Sequence, residues 1–300
     1  MTIFLIALEK GLGLGSIYLL VGLSFTLVLA VSSVFNFVQG SLLMVATLLS
    51  FILGSEQGWP AIGVLAAIVA FGFLAGLLTH TITVRPVLGR TKDIVESTLL
   101  TTIGAGFVVN AVAALLFGSQ PRPVRGYVSA VPWKLGNLPI NKTYIVIIAV
   151  TLCITIGLDQ FLRHSDTGRT ARVTLEDSEG ARLVGVDVRR VILVSFAIAG
   201  ALAALAGWLV APVILASAFN AQDVTFFAFA GMAIGGFGSF GGAMLGGLIV
   251  GLVVAIVPAY INPDWADPLV LVFAAVILIL RPAGLLGTAG LFGATRQREL

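Results

Sequence analysis

A single cysteine, Cys153, among 300 residues excludes an intrachain disulfide. The two histidines, His80 and His164, have no second nitrogen or sulfur ligand at a metal-binding spacing. Charge is almost as scarce. Asp, Glu, Lys and Arg make up 10% of the chain, where a soluble domain carries about 25%. That shortage excludes an ordinary soluble domain. With 58% hydrophobic residues and a mean hydropathy of +1.08, the composition is that of an all-α, polytopic integral membrane protein. The net charge of +3 is a matter of orientation in the bilayer, and no nucleic acid is implied. Catalytic signatures are missing as well. There is no HExxH and no GxSxG with partner His and Asp, and none of Lys10, Lys92, Lys134 and Lys142 follows the glycine that a phosphate-binding loop requires. No cofactor is expected on this chain, and any ATP that powers it is hydrolysed by other subunits.

What the chain has in abundance is apolar runs. Taking about 20 residues per crossing, spans are expected over 11–31, 37–53, 61–84, 97–117, 143–162 and 191–214. The stretch 226–257 is too long for one crossing and carries glycines at 231, 235, 236, 238, 241, 242, 246, 247 and 251. Small residues at four-residue spacing let helix backbones approach closely within a membrane. The cluster from Gly236 to Gly242 reads as a break between two short or discontinuous helices, one of which could be re-entrant. A last span covers 268–280. The opening MTIFLIALEK lacks the basic region and cleavage site of a removed signal, so insertion is expected through the first retained span.

Charge sidedness orients the bundle. Arg85, Arg90 and Lys92, then Arg163, Arg169, Arg172, Arg182, Arg189 and Arg190, then Arg281, Arg296 and Arg298 hold 12 of the 17 basic residues. These regions are assigned to the cytoplasm. An even number of crossings must then separate residues 190 and 281. The expected total is about nine segments, within a range of eight to ten, in one transmembrane domain over 1–300. Its N-terminus is outside and its C-terminus cytoplasmic.

One long charged segment, 163–190, interrupts the apolar chain. Six arginines share it with Asp166, Glu176, Asp177, Glu179 and Asp187. It reads either as a docking loop of short helices broken at Gly168, Gly180 and Gly185, or as a solvated connection that carries topology charges. Inside the spans polar groups are few, and each is expensive at bilayer depth. Asn36 and Gln39 mark a break before the second span, while Thr101, Thr102 and Asn110 lie in the fourth. No carboxylate sits at mid-span, unlike the usual arrangement in ion-driven carriers. Hydrogen bonding between helices is the competing reading of Asn110. For Asn36 and Gln39 a polar break lines a cavity more often than it faces lipid. With the backbones of Gly40 and Gly104, these residues form the candidate translocation path.

Four motifs in order resemble the permease subunits of branched-chain amino-acid-type ATP-binding-cassette (ABC) importers. They are GLGLGSIYLLVGLSFTLVLAVSSVFNFVQGSLLMVA, STLLTTIGAGFVVNAVAALLFG, TGRTARVTLEDSEGARLVGVDVRRV, and the pair AFAGMAIGGFGSFGGAMLGGLIVG and RPAGLLG. The resemblance implies two cytoplasmic ATPases, a second permease subunit and an extracytoplasmic solute-binding protein. It also implies an inner-membrane location and alternating access. It makes Glu176, Asp177, Gly180, Ala181, Gly185 and Val186 an ATPase-coupling loop. The chain departs from the family pattern at Gln39-Gly40-Ser41, where His-Gly-Glu is usual, and at Phe227-Ala228-Phe229, where Lys-Ala-Phe is usual. Amino acids are the leading solutes, with urea, short amides and carboxylic acids as others that related systems carry. A self-contained channel for a small neutral solute is the alternative, disfavoured by the long charged segment.

Overall fold

The computed structural model describes residues 2–87, 94–129, 131–135, 138–165, 168, 170, 185–219 and 221–287. Among these, eight helical stretches are long and apolar enough to cross a membrane. Helix α1 (Thr2–Ser32) is followed by α2 (Val38–Ser50), which runs on as a π-helical segment, Phe51–Glu56. Helix α3 (Ala61–Thr79) likewise ends in π-helical His80–Val84. Then come α4 (Ile94–Phe117), a small hairpin of β1 (Trp133–Leu135) and β2 (Leu138–Ile140), and α5 (Lys142–His164). The second half holds α6 (Val188–Ile214), α7 (Ala221–Gly235), α8 (Phe240–Tyr260) and α9 (Ala266–Leu280).

Two of these boundaries differ from the sequence expectation. Helix α1 starts at Thr2, not near residue 11, because its opening residues are apolar and Glu9 is held by the Asn141 N–H at 2.6 Å. The hairpin of β1 and β2 was not foreseen in the proline-bearing segment between α4 and α5. In the glycine-rich stretch the helix stops at Gly235 and resumes at Phe240, with Gly236 and Gly238 at φ +116° and +76°. At 15 residues, α7 is shorter than a full crossing requires.

Glycine decides which helices touch. Helices α1 and α8 run antiparallel, with Gly11 against Leu252, Gly15 against Leu248, and Gly251 against Gly15. Gly72 and Gly76 of α3 meet Gly200 and Phe196 of α6 in the same way. The turn of α7 into α8 is closed by Gly231 on Gly247 and Gly235 on Gly242. Close backbone approach substitutes for the hydrophobic drive that lipid removes. The connection 281–287 folds back on the end of α7, where Leu285 and Leu286 donate to the carbonyls of Ile234 and Gly235 at 2.9 and 2.8 Å. Those C-terminal carbonyls would otherwise lack partners.

One end of the bundle gathers Glu56, the segment 118–129, the β-hairpin and the start of α9. Arg122 and Ala216 exchange backbone hydrogen bonds there, and the Tyr127 hydroxyl donates to Leu209 O at 2.9 Å while its ring stacks on Trp208. The opposite end gathers the break at 33–37, the end of α3, the start of α6 and the break at 236–239. It is the arginine-bearing end that the sequence assigns to the cytoplasm.

Candidate functional site

The polar break before α2 is a real interruption of helix. Ser33 adopts φ +54°, and Asn36 Oδ1 accepts from the Val38 N–H at 3.2 Å, which starts α2. Beside this start, α2, α4 and α7 border an open cavity of about 280 Å³. Its polar wall is Ser41, Asn110, Gln222 and Thr225, and its apolar wall includes Phe37, Phe107, Phe226 and Phe229. None of the lining residues is ionisable. Gly40 makes the narrow crossing of α2 and α7 possible, since a side chain there would collide with Thr225. Ser41 donates to Gly106 O at 3.1 Å and ties α2 to α4. The Asn110 Oδ1 is buried with no hydrogen-bond partner among the described residues. Such an atom normally has a partner.

Aromatic rings separate this cavity from the arginine-bearing end. Phe37 and Phe229 line it, and their centroids lie 5.3 Å apart. Phe35 packs on both, at 6.5 and 6.0 Å, and on Phe237 at 5.8 Å, while Phe25 closes the group from α1. Phe35 and Phe237 stand in the two helix breaks. The two interrupted backbones therefore meet through one set of side chains.

The predicted path residues fall into three groups. Gly40 and Asn110 line the cavity. Asn36, Gln39 and Thr102 are buried behind its walls. Thr102 donates to Phe35 O at 3.3 Å, whereas Asn36 Nδ2 and both amide atoms of Gln39 have no partner. Thr101 and Gly104 lie outside the cavity on an exposed face of α4, where Thr101 bonds to Ser97 O and Thr98 O, and a side chain at Gly104 would meet nothing. The phenylalanines, Gln222 and Thr225 were not assigned to the path from sequence, although Phe229 falls in the departure at Phe227-Ala228-Phe229. Their signal was the aromatic run Phe226-Phe227-Ala228-Phe229, but one chain read alone does not say which helix faces it. In the predicted coupling segment, Gly185 adopts φ +85° and precedes the Asp187 cap of α6. Val186 is half-buried beside it. Glu176, Asp177, Gly180 and Ala181 lie outside the described residues.

A family-wide sequence pattern, described as branched-chain amino acid transport system / permease component, matches residues 7–280. The chain belongs to that family. Curated members of this permease family align along nearly its whole length. The high-affinity branched-chain amino acid transport system permease protein LivH of Escherichia coli (strain K12) is 29% identical over 304 residues, covering 95% of this chain and 96% of that protein. BraD, the corresponding permease protein of Pseudomonas aeruginosa, is 27% identical over 306 residues, with the same two coverages. A probable LivH of Methanocaldococcus jannaschii is 24% identical over 287 residues, 93% of this chain and 89% of its own length. No solved structure matches.

Proposed function

We propose that this chain is the membrane-spanning permease subunit of an ABC importer that moves amino acids, branched-chain ones foremost, into the cytoplasm. The observation that carries the reading is the permease family match over residues 7–280. The site supports it. A cavity with an open acceptor at Asn110 and four phenylalanines suits a solute with an N–H donor and an apolar body. The lining holds no cation to fix a carboxylate, so the binding is weak and chief selectivity rests with an extracytoplasmic solute-binding protein.

Transport proceeds by alternating access. The phenylalanines of the two breaks seal the cavity toward the cytoplasm, and their separation opens it. ATP is bound by two cytoplasmic subunits, which act on the segment around Glu176, Asp177, Gly180, Ala181, Gly185 and Val186. A second permease, identical or related, completes the assembly in the inner membrane. Helix α7 counts as a membrane segment in this topology, which places the N-terminus outside and the C-terminus in the cytoplasm.

Co-expression with neighbouring transport genes, purification and reconstitution into proteoliposomes test the proposal. Leucine uptake should require ATP and the binding protein. Gly185→Val forces a branched side chain into φ +85° with open space around it, so it should abolish ATP-driven uptake while the protein still inserts and purifies. Solute flux through the purified chain alone, without ATP, would instead make it a channel.

A further inference from the structure

A second cavity, of about 460 Å³, lies at the arginine-bearing end and shares no lining residue with the first. It is bounded by His80 and Arg85 at the end of α3 and by Val186, Asp187, Arg189 and Ile192 at the start of α6. His80 is 4% exposed, packs its ring on Phe196 at 5.1 Å, and has no partner for Nδ1 among the described residues. A buried imidazole nitrogen is normally paired, and a ligand in the cavity would supply what the described residues do not.

The charges around it favour an anion. Arg85 and Arg189 are exposed, and among the described residues neither has a carboxylate partner. Asp187 is the acidic group in the lining, and Arg190 occupies it through Nε at 2.9 Å. The first turn of α6 adds the positive end of a 27-residue helix. Guanidinium groups are suited to the oxygens of phosphate. Depth points the same way, because Arg85 is the first charged residue after the apolar span 61–84, the level at which lipid headgroups lie.

We infer that this cavity binds a phosphate-bearing anion, either the headgroup of an anionic phospholipid or free phosphate. Arg85 and Arg189 hold its oxygens and His80 donates a ring N–H. The ligand would join the end of α3 to the first turn of α6, immediately after Gly185, where the charged segment rejoins the bundle.

The test uses the full chain in nanodiscs of phosphatidylcholine, with or without phosphatidylglycerol, and reads retained lipid by native mass spectrometry and melting temperature by fluorescence. Wild type should retain phosphatidylglycerol in preference to phosphatidylcholine, and the double variant Arg85→Gln/Arg189→Gln should lose that preference by about tenfold. Arg281→Gln, a control at the same end, should keep it. If the source is free phosphate, inorganic phosphate should instead raise the melting temperature of wild type, and not of the double variant, in phosphatidylcholine alone. Both substituted side chains are exposed, so the double variant should purify like wild type. Equal lipid retention and equal phosphate response in wild type and double variant would overturn the inference.

Discussion

Helices α1 and α4 are both apolar enough to cross a membrane, yet 94% of the most apolar window of α1 is buried by the rest of the chain, against 17% for α4. The difference lies in what their glycines meet. In α1, Gly11 and Gly15 meet Leu252 and Leu248 of α8 on one face, and Gly13 meets Tyr144 of α5 on the opposite face, so α1 is held between two helices. In α4, Gly106 meets Ser41 but Gly104 meets nothing, and Leu100, Leu115 and Leu116 are exposed. Hydropathy says that a helix is in the membrane. Small residues paired across a contact say which helix is the central post and which is an outer wall. The cavity with Asn110 lies where the outer wall meets α2 and α7, while the post stands behind it.

The strongest way to break the contrast is to enlarge the post's contact. Gly251→Leu drives a side chain into the backbone of Gly15, and overpacking of this kind costs about 3 kcal/mol even where side chains can adjust. Backbone cannot adjust as side chains do, so the variant should fail to give a monodisperse peak in detergent. A normal elution profile would show that α1 and α8 separate more readily than their packing implies. On the wall side, Asn110→Leu should leave the elution profile unchanged and reduce ATP-driven uptake by about fivefold to tenfold, the worth of one hydrogen bond to solute. Unchanged uptake would remove Asn110 from the path.

A smaller effect is expected at the end opposite the arginine-bearing one. Tyr127→Phe removes the hydroxyl that donates to Leu209 O, and should lower stability by about 1 kcal/mol in thermal denaturation. Burial raises the pKa of this phenol in the folded chain. A folded pKa above the unfolded value means that the stabilisation is complete below about pH 10 and is lost as pH climbs beyond it. The wild type should therefore lose stability above pH 10 and the phenylalanine variant should lose less. Parallel curves would show that the phenol ionises freely.

Much of this arrangement was legible because lipid imposes simple rules. Span length located the apolar helices. Polar residues at Asn36 and Gln39 likewise marked the interruption before α2. What was not legible depends on rotation of each helix about its axis. Thr101 and Thr102 are adjacent in sequence and equally polar, yet one is exposed and the other is tied to the carbonyl of Phe35. With α4 apolar on all sides, no hydrophobic stripe says which threonine points inward. The same blindness hid the phenylalanine group, whose members come from α1, two breaks and α7 and share no local pattern.

The smallest expected effect is also the sharpest test of the comparison. Gly104→Leu adds a side chain on the exposed face of α4, where nothing lies within contact distance. If that face meets lipid, stability should change by no more than about 0.5 kcal/mol and uptake should be normal. A drop in uptake with unchanged melting of the isolated chain would mean that something outside this chain covers α4 in the working assembly, and a second permease is the partner with a helix to place there. Crosslinking Gly104→Cys between copies or to the related permease would then identify it. The low burial of α4 would in that case reflect a wall held from both sides, fixed by the assembly where α1 is fixed by the chain itself.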